Sequence, residues 1–165
     1  MKSRLRQVPW IVVMLVALAT QGLAKTGGQV KLSGQISDFT ADLDGLGSWH
    51  VTGPWSLQVK RAGGKARFSA SLAMVRSDNP VRQSHTHHVR LTDAVVTPIP
   101  GGFSITGPAR ITGNGSLAGF SGSTIVVEVV GGDTVPYASI RVTFQDGAVL
   151  HFGGEPLDGV VKSSR

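Results

Sequence analysis

The sequence predicts an all-β protein, an antiparallel barrel or a barrel-like sandwich of about eight to ten strands. Three observations lead there. Beyond Lys25 no window repeats apolar residues at helical spacing for three turns. Short β-branched runs of alternating polarity recur instead, between Gly, Asn-Gly and Asp-Gly breaks. The 165 residues hold 22 Gly and 8 Pro, ample turn-formers, yet are 41% hydrophobic, which is enough to pack one core rather than stay disordered. That length suits one domain.

In chain order, the first element is an address. Met1–Trp10 carries Lys2, Arg4 and Arg6 without an acid, residues 11–19 are an unbroken apolar run, and the small residues Gly22 and Ala24 precede Lys25. This is the order of a secretory signal peptide over residues 1–24, cleaved after Ala24, with Ala17-Leu18-Ala19 as a second possible site. The apolar run is about half of the roughly 20 residues that cross a bilayer, so no stable membrane span is expected after cleavage. Residues 25–165 are then a single all-β domain, exported to the periplasm or the extracellular space.

Within that domain, strands are expected over residues 30–39, 49–52, 55–61, 66–74, 85–92, 94–98, 102–106, 109–112, 124–130, 139–145 and 148–152. With Gly63-Gly64 as a two-residue turn, Val59 pairs with Phe68, Leu57 with Ala70 and Trp55 with Leu72, all on one face. Lys60, Arg67, Gln58, Ser69, Ser56 and Ser71 then share the other, and a slip by one residue would mix the two sets. Gly53-Pro54 and Gly107-Pro108 each follow a short β run and mark a bend, an edge or a strand start, because proline cannot donate to a ladder. With Asp146-Gly147 as a second turn, Phe144 pairs with Val149 and Val142 with His151, which points His151 to the apolar side. Leu150 and Phe152 fall on the opposite face, and a one-residue bulge would exchange the two sets.

Composition removes several function classes. Without cysteine there is no disulfide framework, no thiolate nucleophile and no Cys-ligated zinc or iron–sulfur cluster. The formal charge of +6 falls to +3 once the three cations of the signal are removed, and the remaining Lys and Arg are scattered apart from Lys60-Arg61, Lys65 and Arg67. No basic stripe is left for phosphates, so nucleic acid is not an expected partner. Asp42-Leu-Asp44-Gly45 starts like a calcium loop but lacks the later acidic positions. Gly113-Asn-Gly115 with Gly119 completes no dinucleotide fingerprint, and Gly119-Phe-Ser121-Gly-Ser123 misses the last glycine of a nucleophile elbow.

Histidine is where chemistry remains. In Ser84-His85-Thr86-His87-His88 an extended chain sends His85 and His87 to one face, with Val89 and Leu91, and His88 to the other. Two imidazoles at i and i+2 can both reach one transition metal, and His151 would supply a third nitrogen. Three neutral imidazoles suit Zn(II), Cu(II) or Fe(II), with Asp93, Glu155 or a water completing the shell. Alternatively the histidines serve an organic ligand, or occupy an exposed loop end. The His-x-His strand resembles the cupin-type metal proteins, but Val89, Arg90, Leu91 and Thr92 stand where their glutamate belongs, so that ligand set is not carried over.

Gly47-Ser48-Trp49 resembles the Gly-x-Trp of an early lipocalin strand, which implies an eight-stranded ligand barrel; a jelly roll is the other barrel-like form the pattern admits. Trp49 and Trp55 are secondary site candidates that serve equally as core residues closing one end. Glu128 interrupts the apolar run Ile125–Val130, as a solvent-facing carboxylate or a buried acid. The leading expectation is an exported barrel that binds a small molecule or a metal ion. A small His-based isomerase, cyclase or hydrolase, with or without metal, and an inert extracellular structural domain are the alternatives.

Overall fold

A computed structural model describes residues 29–41, 48–60, 64–81, 84–114, 120, 122–131, 135 and 137–165. The signal segment, the Asp42–Gly45 loop and Gly63 lie outside the described residues. Eight strands close on themselves in chain order: β1 (Val30–Ala41), β2 (Ser48–Lys60), β3 (Lys65–Arg76), β4 (His85–Ile99), β5 (Gly102–Gly113), β6 (Ser123–Val130), β7 (Ser139–Phe144) and β8 (Leu157–Ser164). Each is antiparallel to its neighbours, and β8 returns to β1 with Ile36 opposite Gly159. Sequential pairing of this kind is an up-and-down barrel, which decides against both the sandwich and the jelly roll.

The two-residue period of the sequence is what fills the interior. Along β2, Trp49, Val51, Trp55, Leu57 and Val59 point in, while the residues between them face out or lie part-exposed. Ser123, Ile125, Val127 and Val129 do the same on β6. Phe103, Ile105, Leu72, Met74 and Val89 reach 0% exposure, so the lumen around them is occupied by side chains rather than solvent.

Four expectations are corrected. The β2–β3 hairpin pairs Val59 with Ala66, Leu57 with Phe68 and Trp55 with Ala70, two residues away from the predicted register. Its turn is longer than Gly63-Gly64, closing on Lys60 opposite Lys65, with Gly64 left-handed at φ 59°. A shift of two preserves the faces, so the inward set survives intact.

Secondly, the Gly-Pro pairs do not end strands. Gly53-Pro54 lies inside β2 and Gly107-Pro108 inside β5, where the ladder to one neighbour lapses while the other stays paired. Residues 85–92 and 94–98 likewise join into β4 across an irregularity between Arg90 and Val95.

Thirdly, residues 148–152 are not a strand. Asp146 takes φ 58°, as the first position of a type I′ turn would, but the chain then enters a 3-10 turn (Asp146–Ala148) and the short helix α1 (Val149–Phe152). Lastly, β8 is absent from the predicted strands, since past Leu157 its inward positions are Gly159, Val161 and Ser163, too weak a pattern to signal burial.

Candidate metal centre

The strand geometry sets two imidazoles side by side. His85 and His87 are inward positions of β4, opposite Met74 and Leu72 of β3, and are 8% and 0% exposed. Thr86 between them is part-exposed, and His88, the next residue, faces out. Their ring centroids are 4.8 Å apart and nearly perpendicular.

The third imidazole arrives from the segment the alternation misread. In α1 the helical period turns His151 and Phe152 inward together, one turn after Ala148, and leaves Leu150 half-exposed. His151 Nε2 then lies 3.0 Å from His85 Nε2 and 2.9 Å from His87 Nε2. One nitrogen from each ring falls within 4.8 Å of the other two.

This convergence poses a hydrogen-bonding problem. A neutral ring nitrogen presents either one hydrogen or one lone pair in the ring plane, so His151 Nε2 can satisfy one of these two neighbours properly. The other contact has to share that one hydrogen or lone pair, whereas a cation would let all three nitrogens direct a lone pair at it. Tetrahedral metal–imidazole bonds of about 2.0–2.1 Å place ligand nitrogens only a few tenths of an ångström farther apart than these. Those two spacings suit a metal ion, while the three donor atoms together span up to 4.8 Å, so His85 and His87 would draw toward each other on binding one.

Electrostatics favours the unprotonated form a metal needs. Burial lowers the His87 pKa from 6.5 to about 3, reinforced by the neighbouring His151 and His85. The Thr112 backbone favours the protonated ring, by less than burial and the two imidazoles oppose it. Nδ1 of His87 is buried without a hydrogen-bond partner of good geometry among the described residues.

An aromatic shell encloses the triad. Trp49 meets His85 edge to face at 5.2 Å, Phe120 lies 5.2 Å from His151, and Phe152 lies 5.1 Å from His87. Phe152 also stacks on Phe144 at 3.8 Å with the rings 9° from parallel. The Thr40 hydroxyl donates to the Phe152 carbonyl at 2.6 Å, tying α1 to β1 at its last turn. Gly153 follows at φ 73°, where a Cβ would overlap that hydroxyl. The plug is thus fixed at its exit by a conformation only glycine adopts comfortably.

No protein-family model, curated protein or solved structure matches this chain. Its chemistry has to be read from the site itself.

The carboxylates expected beside the histidines stand elsewhere. Asp93 is exposed at the β4 irregularity, 3.4 Å from Lys65, and Glu155 is exposed between α1 and β8. Glu128 lies on the outward row of β6, opposite Arg141 and Ser104, as the solvent-facing alternative has it. Trp55 is a core residue stacked with Phe68 at 6.5 Å, its indole nitrogen buried without a partner among the described residues. Of the two tryptophans only Trp49 reaches the triad. Thr40, Phe120, Met74 and Phe152 were not singled out by sequence. For Phe152 a signal existed, because Ala148, His151 and Phe152 follow the i, i+3, i+4 pattern of one helical turn.

Proposed function

We propose that this protein is an exported transition-metal-binding protein whose centre is His85, His87 and His151. The observation that carries the reading is the convergence of three buried imidazoles, with His151 Nε2 at hydrogen-bond distance from Nε2 of both others, where one hydrogen or lone pair has to serve two contacts. The site lies at one end of a side-chain-filled barrel, which favours an ion over an organic molecule held in the lumen. Among the described residues the cluster is made of histidines alone, which supports binding over proton-transfer catalysis by a His–carboxylate pair. Zn(II), Cu(II) and Fe(II) are all compatible with imidazole donors. Export is supported by the charged, apolar and small-residue order of residues 1–24.

Elemental analysis of the mature protein, purified without a histidine tag or chelator, tests this. The expected result is near-stoichiometric metal in the parent and none in a folded His85→Ala/His87→Ala double variant. A parent that carries no metal and takes up none on addition of Zn(II) or copper would overturn it.

A further inference from the structure

We infer that the ion this centre selects is monovalent copper. The inference rests on the metal-binding reading above and deepens it. Three features of the site point the same way.

The first is charge. The triad supplies no negative ligand, and every carboxylate among the described residues is directed elsewhere. Asp38 accepts from the Asp158 backbone, Asp78 pairs with Arg76, Asp93 with Lys65, and Asp158 with Arg141. Asp146 accepts from the Thr124 backbone, Glu128 faces outward and Glu155 is exposed. The charged pair near the site, Arg76 with Asp78, adds no net negative charge, and it is the Arg76 guanidinium that lies 5.8 Å over the ring of Trp49, which itself meets His85. Solvation cost scales with the square of the charge, so a monocation taken into such a place loses about a quarter of what a dication loses.

The second is coordination number. A closed zinc site is almost always four-coordinate, and a d10 monocation is content with three donors. Here three nitrogens converge while Trp49, Phe120 and Phe152 crowd around the imidazoles. The shell offers carbon where a hard dication would want oxygen.

The third is softness. Met74 stands directly opposite His85 on β3, both inward-facing and buried, and opposed residues of an antiparallel pair have Cβ atoms about 4.5–5.5 Å apart. Its thioether is the one soft donor that the register brings to this layer among the described residues, and thioethers select Cu(I).

The test is an anaerobic competition on the mature wild-type chain. Cu(I) is presented as its bicinchoninate complex, and Zn(II) is presented separately against a chromophoric zinc chelator. The expected outcome is withdrawal of one Cu(I) per chain, with an affinity on the order of a thousandfold above that for Zn(II). The bound copper then resists a hundredfold excess of Zn(II). X-ray absorption of the loaded protein should show Cu(I) with imidazole nitrogens in its first shell. Stoichiometric Zn(II) that binds as tightly as Cu(I) or displaces it overturns the copper inference and leaves the metal centre standing. Failure of both ions to bind a chain shown folded by circular dichroism overturns both.

Discussion

The two ends of the barrel are closed by different chemistry. At the end where β4 begins, His85, His87 and His151 meet under the α1 plug, within a ring of Trp49, Phe120 and Phe152. At the end where β5 begins, Phe103 is fully buried against Tyr137 at 5.7 Å, with Val129 opposite it on β6. Among the described residues that end buries aromatic and aliphatic surface, which stabilises at about 25 cal/mol per Å². The other buries three imidazoles, groups that prefer water, and His87 among them resists protonation there. The difference teaches that the β5 end holds the barrel shut, while the β4 end gives up stability for a donor set.

Acid should break that comparison most visibly. The His87 pKa is about 3 when folded and near 6.5 when unfolded, so the unfolded chain binds more protons between those values. Its contribution is fully present above about pH 6.5 and is lost as pH falls toward 3, at up to about 1.4 kcal/mol per unit. Over that window the loss for metal-free protein is on the order of 4 kcal/mol, measurable by urea unfolding at stepped pH.

Phe103→Ala probes the opposite end. Loss of a buried phenylalanine should cost about 3–5 kcal/mol in the same unfolding assay. Metal stoichiometry of the folded fraction should stay unchanged, and a loss of metal would show that the two ends are not separable.

Gly153→Ala sharpens the comparison at the plug. Forcing a side chain into φ 73° against the Thr40 hydroxyl should cost about 1–3 kcal/mol and loosen α1. Hydrogen exchange should then quicken at residues 146–152 and leave the β4–β5 ladder protected.

Lys65→Ala removes the smallest interaction considered. Its 3.4 Å contact with Asp93 joins two well-exposed side chains, so the change in stability should stay below about 0.5 kcal/mol. A larger change would mean that the β4 irregularity depends on that pair.

The β5 end was easier to read in the sequence than the β4 end, for a physical reason. Sheet alternation repeats over long segments, so the inward rows of β2, β3 and β6 follow from residue order even where the β2–β3 register is displaced by two. The Gly-Pro pairs misled on where strands end, because proline forfeits one ladder hydrogen bond without ending a strand whose other edge stays paired. In the site, His85 and His87 were legible from their i, i+2 spacing. His151 was assigned inward for the wrong reason, as a strand residue, because Asp146-Gly147 looks the same whether a hairpin or a helical turn follows. A single helical turn offers too few residues for its period to outweigh alternation. Phe120 and Thr40 had no local signal at all, since only the tertiary fold brings Phe120 to the triad and Thr40 to the end of α1.

The central claim is that three particular ring nitrogens hold a metal, and the most direct test is nitrogen NMR of the five imidazoles. Uniformly 15N-labelled mature protein would be followed as Zn(II) or, anaerobically, Cu(I) is added to one equivalent, both ions being diamagnetic. The account predicts large Nε2 shifts at His85, His87 and His151, with His50 and His88 unmoved as internal controls on the outer surface. Shifts confined to His50 or His88, or no Nε2 shift in the triad with either ion, would contradict it.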